Sequence, residues 1–116
     1  MKIIHYKQAE AKNYSPDMAK GITGRVGIGK ADGAKNFCMR IFEVAAGGSS
    51  PKHAHGYEHE VFVHAGKGAV YSKGDWVPLK AGTVVFIPPD EEHQIKNVGE
   101  EPFVFVCLIP SGFPEI

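Results

Sequence analysis

An all-β fold, closed into a barrel or a jelly-roll sandwich, is what this sequence predicts, and three observations carry it. Short apolar runs alternate with clusters of Gly, Pro, Asp and Asn at regular spacing. No helical period is sustained for three turns. About eight or nine strands in roughly 100 residues would leave long exposed edges in one flat sheet, so the sheet should close on itself. Taken in order, the strands are expected near residues 22–28, 37–45, 53–56, 59–65, 68–72, 75–79, 83–88, 92–97 and 102–109, parted by turns such as Lys73-Gly74-Asp75. One helical turn is expected from Ser15-Pro16-Asp17, with Ser as cap and Pro at the first helical position, closing at Gly21.

Length and charge bound the rest. A chain of 116 residues, 43% hydrophobic, makes one domain over 1–116, with residues 1–20 as an N-terminal arm. Thirteen basic and thirteen acidic side chains cancel and no Lys/Arg block occurs, which argues against nucleic acid or an anionic membrane as partner. The N-terminus lacks an apolar signal core and no run approaches the ~20 residues of a membrane span, so a cytoplasmic protein is expected. Cys38 and Cys107 have no Cys-x-x-Cys partner and read as buried thiols.

Strand parity sorts the side chains into faces. His53, His55, His59, Val61 and Val63 share one phase if the Gly56-Tyr57-Glu58 turn preserves it, and Glu60, Phe62 and His64 take the other. Cys38, Arg40, Phe42 and Val44 oppose Phe37, Met39, Ile41 and Glu43, and parity does not choose between these faces. Phe103, Phe105, Cys107 and Ile109 oppose Val104, Val106 and Leu108, both sides being apolar. Two histidines at i and i+2 stand about 6 to 7 Å apart at Cα, close enough for both rings to reach one cation at about 2.1 Å. A solvated polar strand would carry the same pair, so the pair needs a distant second donor.

That donor is supplied by the stretch from Gly82 to Asn97, an apolar strand, a Pro-Pro-Asp turn and then His93. Gly47, His53, His55, Glu60 and Gly66, followed by Gly82, Pro88, Asp90, His93 and Asn97, resemble the two motifs of the cupin superfamily. The resemblance places motif one at 47–66 and motif two at 82–97. It departs in two places: Gly66 falls one residue early, and Asp90 stands where the motif has a glycine. The family likeness implies a double-stranded β-helix, or jelly-roll, barrel.

It also implies a metal. The position four residues after the second histidine, often a carboxylate in metal-binding cupins, is His59 here. The resemblance therefore implies a ligand set of His53, His55, His59 and His93, with Glu60 outside it. Small bacterial single-domain cupins with four-histidine sites, often isolated with manganese, are similar, and the stretches Cys-Met-Arg-Ile-Phe and Phe-Val-Cys-Leu-Ile-Pro strengthen the likeness. Four neutral imidazoles leave a divalent ion its full charge and, on an octahedral ion, two open positions. Manganese is expected first, with iron, nickel, copper and zinc as alternatives that nitrogen donors also suit.

If the metal sits inside, Arg40 has two readings: an anchor for a substrate carboxylate or enolate, or a structural ion pair with Glu43 or Glu60. Phe105 and Cys107 are implied to line the cavity floor. His64 and His5 read as surface residues, and Tyr71 and Trp76 as a cross-strand pair. The expected functions run from a metal-dependent oxidoreductase or dioxygenase acting on a small oxygen-rich molecule, through a non-redox lyase or isomerase, to a binding module without turnover. A homodimer, packing or exchanging strands around residues 1–10, is expected from the short chain and its edges.

Overall fold

The computed structural model describes residues 1–16 and 18–116. Nine strands occur among them: β1 (Lys12–Tyr14), β2 (Lys20–Ile28), β3 (Phe37–Ser49), β4 (His59–Ala65), β5 (Lys67–Ser72), β6 (Asp75–Lys80), β7 (Val84–Ile87), β8 (Gln94–Asn97) and β9 (Phe103–Pro110). They form a curled antiparallel sheet in the order β6-β5-β8-β3-β9-β4-β7, with β2 also on β3 and β1 on β2. The jelly-roll expectation holds. Long β3 makes this possible, because its first part pairs with β9 and β2 while its end, at Ser49, reaches Lys96 of β8.

Alternation decides what faces inward. Along β4, His59, Val61 and Val63 are buried while Glu60, Phe62 and His64 are exposed. On β3 the inward phase is Cys38, Arg40, Phe42 and Val44, the choice that parity left open. On β9 it is Phe103, Phe105, Cys107 and Ile109. The apolar residues of these three strands meet in one core with Val44, Val63 and Phe103 wholly covered. Gly68 completes it, since a Cβ there would stand 2.5 to 2.7 Å from the Phe103 ring.

Three expectations need correction. The stretch 53–56 is not a strand: only His53 bridges to His93, because Pro51 and the bend at Gly56 interrupt pairing. Asp17 of the expected helical turn lies outside the described residues. Of its described neighbours, Ala19 N–H donates to Pro16 O (3.0 Å), Met18 stands at φ +71° and Lys20 is already in β2. Residues 1–10 hold a 3₁₀ turn (Tyr6–Gln8) rather than a strand, and the arm contributes β1 instead. A second 3₁₀ turn spans Lys30–Asp32. No helix of the described residues is long and apolar enough to cross a membrane.

Candidate metal centre

The sheet presents four histidines at one end of its inner face. His53 and His55 stand on the loop after β3, His59 opens β4 and His93 directly precedes β8. Mutual backbone hydrogen bonds between His53 and His93 (3.0 and 2.9 Å) lock the two motifs together. Asp90, at φ +67°, takes the left-handed turn that a glycine would otherwise supply, and its N–H donates to His55 O at 2.8 Å.

Each ring is oriented from behind. Nδ1 of His53 meets Pro51 O at 3.0 Å, that of His55 meets Tyr57 O at 2.8 Å, and that of His93 meets Glu91 O at 2.9 Å. A carbonyl only accepts, so these Nδ1 atoms carry the proton and the three Nε2 atoms are free as ligands. His59 differs: its Nδ1 lies 3.2 Å from Cys107 Sγ and 3.3 Å from Arg40 Nη2. Its Nε2 lies 2.7 Å from Nε2 of His55.

One nitrogen from each ring falls within 4.8 Å of all the others. Ligands at about 2.1 Å from an octahedral ion stand ~3.0 Å apart when adjacent and ~4.2 Å when opposite, so the cluster fits a divalent metal. Burial also suits the task. It pushes His59 down to about 3, with the positive Arg40 and the other imidazoles adding to the shift, and it lowers His55 and His93 as well. These rings are neutral and ready to coordinate at neutral pH.

Around the histidines, Tyr14, Arg40, Phe42, Tyr57, Phe105 and Cys107 line a cavity of about 70 Å³. That leaves room at the histidines for an ion with its water ligands or for a small molecule. Among the described residues, no carboxylate lines it. The ion-pair reading of Arg40 fails here: Glu43 accepts from Arg25 at 3.0 Å, and Glu60 points to solvent from the outer face. Arg40 is buried, donates to Cys107 Sγ (3.0 Å) and Glu115 O (3.4 Å), and leaves its Nε without an acceptor among the described residues.

Sequence reading missed three aromatic neighbours. Tyr57 stacks on His55 at 3.9 Å between ring centroids, Phe113 stacks on Tyr57 at 4.2 Å, and Tyr14 packs edge-on against Phe42. The place of Tyr57 between His55 and His59 was the available signal; nothing marked Phe113. His5 and His64 lie at the surface, and Tyr71 pairs with Trp76 as expected.

The cupin-domain family profile matches residues 40–109, which include all four histidines. This chain belongs to the cupin family. Among solved structures, the cupin domain described here is similar to the polyketide cyclase RemF from Streptomyces resistomycificus, with 31% identity and a TM-score of 0.92 over 98% of this chain and 82% of that one. A predicted oxalate decarboxylase from Thermotoga maritima shares the fold at 24% identity and a TM-score of 0.84, over 95% and 99% of the two chains. In sequence, an oxalate-binding protein of Thermotoga maritima is 36% identical over 64 residues, 54% of this chain and 53% of that protein. The glucose-6-phosphate isomerase of Pyrococcus furiosus is 40% identical over 58 residues, 45% of this chain but 31% of that enzyme. The matched stretch thus spans a third or less of the isomerases, and about half of the oxalate-binding protein.

Proposed function

We propose that this cupin holds a divalent metal through His53, His55, His59 and His93 and acts, without net redox change, on a small oxygen-rich organic anion, as an isomerase, cyclase or lyase. The observation that carries this is charge: four imidazoles, three of them held neutral by burial, and an Arg40 whose Nε has no acceptor surround a cavity that, among the described residues, no carboxylate lines. A divalent ion there makes the site strongly positive, and an anion is the ligand that balances it. When bound, the metal supplies Lewis acidity to a carbonyl or enolate oxygen. Arg40 anchors the anionic group. Phe42 and Phe105 keep water from the floor, and proton transfer falls to the hydroxyls of Tyr14 or Tyr57 or to Cys107, which line the cavity beside the ligands. Burial holds Tyr14 protonated, as a donor requires.

The cavity volume favours a small substrate, or the oxygenated edge of a larger one placed at the mouth. Cyclase and isomerase relatives support the non-redox reading. Manganese remains the first choice of metal by family likeness, with iron, nickel, copper and zinc suited by the nitrogen donors. A dioxygenase, first in the sequence-based order, would use the same open positions, but an all-neutral donor set disfavours the trivalent state. Homodimerisation is supported by the outer face, where Ile41, Val106, Phe62 and Val84 form one cross-strand row, with Phe62 and Val84 exposed.

The test is anaerobic turnover by metal-loaded protein of hydroxyketones, sugar phosphates, aromatic polyketides and small dicarboxylates. Metal-dependent product formation without oxygen is expected. Turnover accompanied by oxygen uptake would transfer the assignment to the oxidoreductase, and tight oxalate binding without turnover to the binding module.

A further inference from the structure

The four histidines are not held alike. Three donate Nδ1–H to backbone carbonyls, whereas His59 has only Cys107 Sγ and Arg40 Nη2 within reach of its Nδ1 among the described residues. A guanidinium has no lone pair to offer, so it cannot accept from His59. With Nε2 turned toward a metal, Nδ1 must carry the proton, and the sulfur is the acceptor left for it. Arg40 donates to that same sulfur at 3.0 Å. The register explains the placement: Arg40 on β3 lies directly opposite Cys107 on β9, and Cys107 in turn pairs with Val61, two residues along β4 from His59.

Resting on the four-histidine reading above, we infer that Cys107 is a positioning residue for the metal. Its sulfur fixes the tautomer and ring angle of His59, while Arg40, 3.3 Å from the same Nδ1, donates to that sulfur. Without the sulfur, the His59 N–H faces a cation with no acceptor. The ring is then free to rotate or to swap tautomers, which presents N–H rather than a lone pair to the ion. Outer partners of this kind are worth about 10- to 100-fold in metal affinity. Sulfur accepts more weakly than a carbonyl, so His59 is also the least strongly supported of the four arms.

Zinc affinity, measured by competition with a chromophoric chelator, tests this on the whole chain. Cys107→Ala should weaken zinc binding about 10- to 100-fold, while Cys107→Ser, which restores an acceptor, should recover most of the loss. Equal binding by Cys107→Ala and wild type overturns the inference. So does a Cys107→Ser variant as weak as Cys107→Ala, since volume rather than hydrogen bonding would then be at stake. Should the alanine variant not fold, long-range ¹H–¹⁵N spectra of zinc-loaded wild type read the His59 tautomer directly. A protonated Nδ1 is expected, and coordination through Nδ1 would refute the role. A wild-type chain that takes up no zinc or other divalent metal fails earlier, at the ligand set itself, and removes both readings.

Discussion

Acidification of the metal-free protein from about pH 8 to about pH 5 should destabilise it. His59 is 7% exposed, and its burial, with Arg40 beside it, holds it near 3 against an ordinary 6.5. A depressed histidine contributes stability that is whole above the unfolded value and declines as the unfolded chain takes up its proton first. At about pH 5 the unfolded imidazole lies ~1.5 units into its titration while the folded one remains neutral. At ~1.36 kcal/mol per unit, His59 alone then costs about 2 kcal/mol relative to about pH 8. His55 and His93, lowered chiefly by burial, add with the same sign. Asp32, held below the usual carboxylate range by its hydrogen bond from Lys2, titrates below this window. Urea unfolding of chelator-treated protein at the two pH values measures the difference, with His59→Gln as the control that should lose about 2 kcal/mol of the pH dependence. Equal stability at both pH values, or an undiminished dependence in His59→Gln, would refute the argument that these rings are buried neutral.

Three further outcomes follow from the fold. Asn97 donates to Val44 O (2.9 Å) and Glu101 O (2.8 Å) and accepts from Gly99 N–H (2.7 Å), so Asn97→Ala should cost about 2 to 3 kcal/mol in chemical denaturation. Asp90→Gly should raise stability by up to about 1 kcal/mol by relieving its positive φ, and a melting temperature below wild type would contradict this. Gly68→Ala drives a methyl into the Phe103 ring and should cost about 1 to 3 kcal/mol, read from the urea midpoint.

How legible this was depended on the residue. From His59 to Val63 the two-residue period is unbroken, so parity grouped the histidine with the valines against Glu60, and the structure turns that phase inward. His53 and His55 converge for a different reason. Their loop does not pair as a strand, and carbonyls of Pro51 and Tyr57 aim the rings. The motif signalled that outcome, but the period did not cause it. Asn97 matched a motif without a visible role, and its three hydrogen bonds show it joining β8 to β3 and to the following turn. The C-terminal tail was opaque, because Gly112 to Ile116 has no period. Yet Phe113 caps the Tyr57–His55 stack, and Glu115 accepts from Lys30 N–H at 2.8 Å while its carbonyl receives Arg40. The partner of Arg40 was equally hidden, since a cross-strand cysteine becomes visible only when the β3–β9 register is known.

The central claim is that four imidazoles hold one divalent ion. Elemental analysis of the purified chain, paired with a binding titration of His59→Ala, tests it most directly. About one equivalent of metal per chain is expected, with affinity falling at least tenfold when His59 is removed. A chain that binds no metal, or a His59→Ala variant that binds as tightly as wild type, would contradict the account.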